Sequence, residues 1–408
     1  MANSNVTIDM VTREALRVAH ESCQFIATTD RQYDDSFAKT GAKIGSSLRV
    51  RKPNQYVRTS GSRVMDIQDQ DEQTSTITVA TQDHVDMRFN SAELALSIDE
   101  LSKRYIEPAV KVLVSNIEAD YLAYATKKVY NVVGTAGTAI TNLSTPGLAR
   151  ARLNQMLAPK DNNRAIQMDS ITMAGLVNGV AAYFNPSNAI ASQYKEGLVA
   201  RTSMADYYEN ERVWNLTNSA DVTVTTAAAA AVTDGGTNIT LASVANATTA
   251  GMVFTVAGVY ACHPETKQSL GYLQPYVVVT GGTTTQEVSP ATILTGPRQN
   301  VCSAASAQLA TTAYNGTSVA VTFSGALSTT YAQPLMYHKE AFQFVTADLP
   351  IMDDASKCVR RTQDGLSLRV WQASDIRNDE MLMRIDILYG MSALRPEWGC
   401  RMIGAAAA

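Results

Sequence analysis

Hydrophobic and polar residues alternate along the middle of the chain, between Leu216 and Pro334. Thr, Ala, Val, Ser and Gly dominate this stretch. Because successive side chains of a strand point to opposite faces, the alternation predicts β-strands, and the frequent Gly and Pro residues predict turns. The clearest predicted strands are Val253–Val256, Tyr276–Thr280 and Val319–Phe323. The pattern indicates a β-module inserted into a longer chain, which it divides into two sequence-distant parts.

Helical periodicity precedes the module. Apolar residues recur every three or four positions from Val6 to about Thr28, which predicts an amphipathic helix. The longest helical pattern begins at the capping-box sequence Ser97–Glu100 and continues to about Val132, a length of roughly 50 Å if unbroken. Pro108 lacks an amide donor and therefore either kinks this helix or begins a second segment. Such a helix would be a structural spine. Shorter helical patterns cover residues 147–157, 171–183 and 188–197.

A long hairpin is predicted between the two helices. Residues 48–51 and 56–58 alternate as its outgoing arm, and Thr76–Ala80 followed by Val85–Phe89 form its return arm. Neither arm offers enough apolar area for a core of its own, and an isolated hairpin is not stable in water. We therefore expect the hairpin to lie on another surface, including that of a neighbouring molecule.

Charge is one-sided on the outgoing arm and reverses at the tip. The basic residues are Lys39, Lys43, Arg49, Arg51, Lys52, Arg58 and Arg63, and the acidic ones are Asp66, Asp69, Asp71 and Glu72. The basic arm could follow a phosphate backbone, but two opposite blocks on one hairpin favour pairing between subunits. The acidic tip could attract a cation, yet it lacks the Gly turn and terminal Glu of a calcium loop. A solvated tip is the favoured interpretation.

Charged, Met-rich strands follow the module. Leu366–Trp371 and Met381–Tyr389 are predicted to pair antiparallel, with Arg369, Arg384 and Asp386 available for cross-strand pairing.

Composition limits the function classes. The chain has 408 residues, a formal net charge of −4 and a pI of about 5.7, so its surface as a whole is not that of a nucleic-acid binder. Five scattered cysteines favour a reducing compartment over a disulfide framework. The polar N-terminus argues against a secretory signal, and no apolar run approaches the roughly 20 residues of a membrane span. We expect two to three domains and synthesis as a soluble intracellular chain.

Catalytic chemistry has no candidate constellation in the sequence. The nucleophile-elbow, phosphate-loop and dinucleotide motifs are missing. The four histidines lie far apart, and Cys262-His263 is the only adjacent pair of soft ligands. A loop Cys beside a solvated His is the simpler interpretation of that pair. No catalytic, cofactor-binding or metal-ligating residue is nominated, and we expect the protein not to be an enzyme.

Several stretches carry a family resemblance through their order along the chain. They are Tyr33–Gly45, Tyr105–Ala109, Ala257–Ala261, His263–Ser269 and Tyr389–Glu397. Together with the predicted elements, they resemble the major capsid proteins of tailed phages, which have the Hong Kong 97-type fold. More narrowly, the chain resembles the coat protein family of short-tailed phages of the Salmonella gene-5 type, whose members carry an inserted β-barrel, the I-domain.

The resemblance implies an α+β Hong Kong 97-like fold with an extended hairpin, the E-loop. The implied parts are an N-terminal helical arm (1–36), the E-loop region (37–91), the spine helix of the P-domain (92–138), the first part of the A-domain (139–216), the I-domain (217–334), the closing strands of the P-domain (335–390) and an A-domain or C-terminal segment (391–408).

The resemblance also implies self-assembly into pentamers and hexamers of an icosahedral shell around double-stranded DNA, without sequence-specific binding. Expected partners are further copies of the chain, a scaffolding protein and a portal, with assembly in the host cytoplasm and residence in the virion. No pair marks a covalent cross-link, so non-covalent assembly is assumed. An encapsulin-like compartment shell remains an alternative, as does a β-rich adhesin that binds a cell surface.

The candidate contact residues are the charged positions of the hairpin, namely Arg49, Arg51, Lys52, Arg58, Arg63, Asp66, Asp69, Asp71 and Glu72, together with Arg395 and Trp398 near the C-terminus. Trp and Arg are enriched where binding energy concentrates. A Trp398 that simply closes the core is an equally open interpretation.

Overall fold

The computed structural model describes residues 8–31, 47–62, 65, 67–68, 72–90, 105–180, 204–219, 233–241, 247–307, 309, 319–352, 357–363 and 365–405. The helices are α1 (Ile8–Ser22), α2 (Phe25–Thr28), α3 (Glu107–Lys128), α4 (Ser144–Gln155) and α5 (Ser170–Val180). The strands are β1 (Ser47–Arg51), β2 (Thr74–Thr78), β3 (Thr81–Asn90), β4 (Val132–Val133), β5 (Arg164–Met168), β6 (Asp206–Glu209), β7 (Asn215–Thr217), β8 (Gly236–Thr240), β9 (Val253–Cys262), β10 (Ser269–Thr280), β11 (Thr285–Thr292), β12 (Val301–Cys302), β13 (Val321–Phe323), β14 (Thr330–Ala332), β15 (Leu335–His338), β16 (Gln343–Ala347), β17 (Lys357–Gln363), β18 (Leu366–Asp375), β19 (Glu380–Ser392) and β20 (Gly399–Met402).

The chain forms two compact units, each assembled from sequence-distant segments. The first contains residues 1–50, 75–122 and 342–394, and the second contains residues 51–74, 123–341 and 395–408. The mixed α+β class agrees with the prediction from sequence.

A five-stranded sheet is the centre of the first unit. Strands β16, β19, β18 and β17 follow one another in it, and β3 also pairs with β19. The predicted pairing of β18 with β19 is confirmed, because they run antiparallel with Arg369 opposite Asp386. Helix α1 packs against β17 and β18. Its apolar stripe, which includes Val11, Ala15 and Val18, is buried.

The predicted N-terminal helix is divided in two. It breaks at Cys23 and Gln24, and the short helix α2 follows. The buried carboxylate of Glu118 accepts hydrogen bonds from the backbone amides of Gln24 (2.8 Å) and Phe25. It thereby serves the amides at the start of α2, which have no carbonyl partner within the helix. A side chain from α3 thus fixes the break.

Helix α3 ends at Lys128, before the end at about Val132 that the helical pattern predicted, and residues 92–104 of the predicted spine (92–138) lie outside the described residues. It has 22 residues, about 33 Å, and is preceded by a π-helical turn at Tyr105 and Ile106. Pro108 lies in its first turn, where a missing amide costs no hydrogen bond. The chain is already helical at Tyr105 and Ile106, so a kink at Pro108 and a second segment beginning there both stay predictions. The predicted cap at 97–100 lies outside the described residues.

The predicted hairpin is present, but its return arm ends earlier than expected. Strands β1 and β2 pair with each other as its base. The second half of the predicted arm, up to Phe89, is instead strand β3, which pairs antiparallel with β19 from Thr81 to Asn90. The reason is that β3 alternates like a hairpin arm but gains a buried partner strand. We use "long hairpin" below for residues 47–78.

The second unit contains another five-stranded sheet, ordered β4, β20, β15, β5, β6. Strand β15 runs antiparallel to both β20 and β5. Residues 335–341 therefore belong to this unit and not with the closing strands, to which the predicted boundary of 335–390 assigned them. All four residues of β15 are buried, as are all five of β5, which explains why they pair with each other inside a sheet.

The β-module forms its own sheet within the second unit. Strands β12, β9, β10, β11 and β8 follow in that order, and β13 also pairs with β9. Its core contains buried side chains from each of the long strands, including Phe254, Tyr276 and Val288. Among the described strands the sheet is not closed, since β8 and β12 each have one neighbour. Closure into a barrel stays a prediction.

The chain enters and leaves the β-module through two strands that pair with each other. Strand β7, where the chain enters, pairs antiparallel with β14, where it leaves. The hydroxyl groups of Thr217 and Thr330 lie 2.8 Å apart across this pair. Buried Asn218 donates from its amide nitrogen to the carbonyls of Ser324 and Ala326. This closed base is what an insertion into a host fold requires.

Candidate functional site

The two arms of the long hairpin are connected at successive positions. Arg51 Nη1 lies 3.3 Å from Glu72 Oε2, and the amide of Lys52 donates to the carbonyl of Gln73 at 2.8 Å. Farther out, the side chain of Gln68 accepts from the amide of Val57 (2.9 Å) and donates to its carbonyl. The opposite charges of the hairpin thus meet within one chain at Arg51 and Glu72. This exposed pair is worth at most about 1 kcal/mol.

Beyond Gln68 the hairpin is open to solvent. Every described residue of the distal loop (residues 58–67) is exposed, including the predicted contact residue Arg58. Arg49 is also exposed, at the base, and Lys52 is half-buried. The other predicted contact positions, Arg63, Asp66, Asp69 and Asp71, lie outside the described residues, as do Lys39 and Lys43.

The distal loop carries two apolar side chains that the charge pattern did not reveal. Met65 is 85% exposed and Ile67 is 80% exposed. Two large apolar residues inside a polar, charged loop were a signal available in the sequence.

The lower part of the hairpin borders a groove within the second unit. Residues 52–56 line it, together with loops of the β-module at residues 289–293 and 298–300 and the C-terminal segment 395–398. Its volume is about 790 Å³. Basic and acidic residues are mixed along it, Arg298 and Arg395 with Glu265 and Glu397.

The C-terminal candidate Trp398 is buried within its own chain. It is 8% exposed, its Nε1 donates to the carbonyl of Met156 at 3.1 Å, and its ring meets that of His338 edge-on at 5.4 Å. The guanidinium of Arg395 covers the indole, 4.1 Å from the ring centre. These contacts favour the core interpretation of Trp398 and leave half-buried Arg395 at the surface of the segment.

Arg401 was not predicted and is a structural centre of the second unit. It is fully buried, and its guanidinium donates to the carbonyl of Val129 through Nε (2.8 Å) and Nη2 (2.6 Å) and to that of Gly251 through Nη1 (2.7 Å). Burial lowers the pKa of Arg401 to about 9. Strand β20 is thereby joined to the end of α3 and to the β-module. The sequence did not indicate these contacts, because one Arg in an apolar C-terminal strand does not show which carbonyl groups it will bind.

The adjacent residues Cys262 and His263 each make contacts within the chain. Burial, followed by the effect of Cys302, raises the pKa of the Cys262 thiol to about 12. Nδ1 of His263 accepts the amides of Glu265 and Thr266 and so serves a turn. Within the described ranges, no cluster of three or more His, Cys, Asp or Glu residues could hold a metal ion.

Membrane spans were sought among the described helices, and none of these helices combines the length and apolar character needed to cross a membrane.

Comparison with solved structures returns phage capsids and also a virus-like particle from Pyrococcus furiosus. The structure of Mycobacterium phage Che8 has a TM-score of 0.49 and 8% identity, covering 93% of this chain and 90% of that chain. The capsid of Ralstonia phage GP4 gives 0.47 and 9%, covering 93% and 88%. The capsid of cyanophage P-SCSP1u gives 0.44 and 10%, covering 90% and 85%. No curated protein sequence matches the chain.

The family model gives the assignment. Residues 42–404 match the family described as P22 coat protein, gene protein 5. The chain belongs to this family and is a structural coat protein of a phage capsid. The compartment-shell and adhesin alternatives are set aside on this ground.

Proposed function

We propose that the protein builds the icosahedral head shell of a tailed bacteriophage through non-covalent contacts in which the long hairpin of one subunit lies on its neighbour. The observation that carries this proposal is the exposure of the distal loop. Its described residues have no core of their own, and a hairpin of this length needs a partner surface to remain ordered. In a shell, a neighbouring copy supplies that surface.

The partners follow from the same proposal. Assembly takes place in the host cytoplasm around a scaffolding protein, incorporates a portal, and leads to a shell that encloses double-stranded DNA without reading its sequence. The formal net charge of −4 supports enclosure over tight DNA binding. The functional surfaces are interfaces, without catalytic turnover.

The β-module is proposed to be the inserted I-domain. Its separate core and the pairing of β7 with β14 at its base support this assignment.

The experiment reverses the hairpin charges by combining Arg49→Glu, Arg51→Glu and Arg58→Glu. We expect soluble, folded subunits that form no shells when examined by sedimentation and negative-stain microscopy. The matched control applies the same charge change to exposed bases outside the hairpin, Lys111→Glu, Lys357→Glu and Arg377→Glu, and should assemble. Normal shells from the hairpin variant would contradict the proposed contact. An unaltered protein that forms no closed shells with its scaffold would contradict the coat function itself.

Arg51 needs a second control because it already pairs with Glu72. The double exchange Arg51→Glu with Glu72→Arg restores the pair within the chain with reversed polarity. If Arg51 acts toward a neighbour, this double variant remains impaired in assembly. If its assembly recovers fully, Arg51 acts only inside its own hairpin.

A further inference from the structure

We propose that Cys262 and Cys302 are a modification site, at which a small-molecule disulfide converts the two thiols into a disulfide bond within the β-module. The bond joins the edge strand β12 to its neighbour β9. The inference goes beyond the proposed function and takes from it only that finished particles leave the reducing cytoplasm of the host. Disulfides form and persist in the oxidising medium outside cells.

The register of β9 and β12 places the two cysteines on one face of the sheet. Cys302 lies opposite Tyr260, and the amide of Cys262 donates to the carbonyl of Asn300 at 2.9 Å. The two cysteines therefore occupy diagonal positions, which share a face because side chains alternate along a strand. Their thiols interact with each other as hydrogen-bond partners.

Strand β12 can make the adjustment that a disulfide requires. A bridge needs Cα atoms within about 7 Å of each other, and diagonal neighbours in a sheet are about 7–8 Å apart, so one strand has to move by roughly an ångström. Strand β12 has two residues and, among the described strands, pairs only with β9. It is therefore the strand that moves, while β9 keeps its other pairings.

The groove along the lower part of the hairpin gives a small disulfide access to one of the two sulfurs. Cys262 is among the residues that line this groove, whereas Cys302 is fully buried. The first exchange therefore takes place at Cys262.

Two thiol–disulfide exchanges complete the reaction when oxidised glutathione is the small disulfide. The Cys262 sulfur attacks one sulfur of the glutathione disulfide and displaces the first glutathione as a thiolate. The Cys302 sulfur then attacks the sulfur of Cys262 and displaces the second glutathione. Two protein thiols are oxidised and one small disulfide is reduced to two thiols. The protons lost by the protein thiols pass through solvent to the released thiolates.

Burial makes the modification slow and its rate dependent on pH. The thiolate is the attacking form, and burial, followed by the effect of Cys302, raises the pKa of Cys262 to about 12. The thiolate fraction therefore rises about tenfold with each pH unit below that value. The ammonium group of Lys267 acts in the opposite direction to burial, because a nearby positive charge favours the thiolate.

The test treats the purified 408-residue chain with oxidised glutathione, both as shells and as unassembled subunits, so its result does not depend on the coat function. Free thiols are then alkylated, and the chain is digested with trypsin without reduction. Trypsin releases Cys262 in a peptide of residues 213–267 and Cys302 in a peptide of residues 299–339. The proposed bond therefore links two otherwise separate peptides.

We expect the linked peptides in the mass spectrum, their loss on reduction, and an intact chain lighter by about 2 Da that still migrates as a monomer in a non-reducing gel. Bond formation should be roughly a hundredfold faster at about pH 9 than at about pH 7. The unaltered chain gives the decisive result. Its failure to form the link, or glutathione on Cys262 without a link to Cys302, would overturn the proposal.

Two variants test the pairing. Cys302→Ser should abolish the linked peptides and leave Cys262 as a mixed disulfide with glutathione. The matched control is Cys358→Ser, which removes the half-buried thiol of β17 and should leave the rate of bond formation unchanged. A link from Cys262 to any other cysteine, or one found only between two copies of the chain, would reject the site.

Discussion

At the residue scale, the first unit contains a buried ion pair, Arg369 with Asp386, in which each partner also makes a hydrogen bond to another residue. Arg369 Nε donates to Asp386 Oδ1 at 3.0 Å, and a second bond of 2.5 Å joins Nη2 to Oδ2. Gln82 donates to the same carboxylate, and Arg369 Nη1 donates to the carbonyl of Pro350. Removing one partner of such a pair leaves a buried charge without compensation, which costs more than the pair itself contributes.

We predict that Asp386→Ala lowers the free energy of unfolding by about 3–5 kcal/mol, because Arg369 stays buried without its carboxylate. The matched control is Glu380→Ala, at a residue of the same strand as Asp386. It breaks the exposed pair in which Arg88 Nη1 lies 3.1 Å from Glu380 Oε1, and it should lower the free energy of unfolding by about 1 kcal/mol or less. Urea unfolding of unassembled subunits measures both changes. Equal losses in the two variants would show that burial of the pair is unimportant.

Trp398 gives the second prediction at this scale. Trp398→Ala should destabilise the unassembled subunit by about 3–5 kcal/mol, because the indole fills a buried site. Trp398→Phe should cost less, since it keeps a ring over which Arg395 can lie and loses only the hydrogen bond to Met156. Thermal unfolding and shell yield are measured together. A subunit of unchanged stability that no longer assembles would return Trp398 to the interface interpretation.

At the scale of elements, the sequence correctly predicted a strand pairing between segments that lie close together in the chain. The pairing of β18 with β19 followed from two alternating runs close in sequence, with Arg369 and Asp386 in register. The end of the long hairpin was misplaced because β3 alternates in the same way, while its partner β19 lies about three hundred residues away. A period of two identifies a strand and the face it buries, but not the strand with which it pairs.

The β-module provides the prediction at this scale. We expect a fragment of residues 215–332 to fold alone, because β7 and β14 close its base and its apolar core is internal. Amide exchange should show slow exchange in the buried centres of β9 and β10. As a comparison, a fragment of residues 219–328 lacks the closing strands and should protect the same amides less. Uniformly fast exchange in the longer fragment would contradict an autonomous module.

At the scale of the molecule, the sequence predicted the fold class and the kind of function, whereas the inter-subunit contact residues stay predictions. The order of elements identified the family, since that order extends over most of the chain. The hairpin residues were chosen for charge and Trp398 for its residue type; within the chain Arg51 pairs with Glu72, and Trp398 is 8% exposed. Burial depends on which distant segments meet, and neither charge nor residue type determines that alone.

Non-covalent assembly is the prediction for the whole particle. Shells boiled in detergent under reducing and non-reducing conditions should release chains that migrate at 43.9 kDa, without a ladder of multiples. The reason is that assembly is proposed to depend on noncovalent hairpin contacts, and the cysteines of the chain are free, four of them buried. A reduction-resistant ladder would indicate cross-linking between subunits, and a ladder lost on reduction would indicate intersubunit disulfides.

The position of Arg401 has a consequence for how the chain is made. Its guanidinium bonds to Val129, 272 residues earlier, and strand β20 lies between β4 and β15. At a synthesis rate of about 5–20 residues per second, β4 waits roughly a quarter of a minute to a minute for this neighbour. During that interval the nascent second unit has an open sheet edge and an unfilled socket for the arginine. Premature association of neighbouring nascent chains is thus a hazard of this topology, and the β-module, complete well before residue 401, can fold first and shorten the exposed stretch.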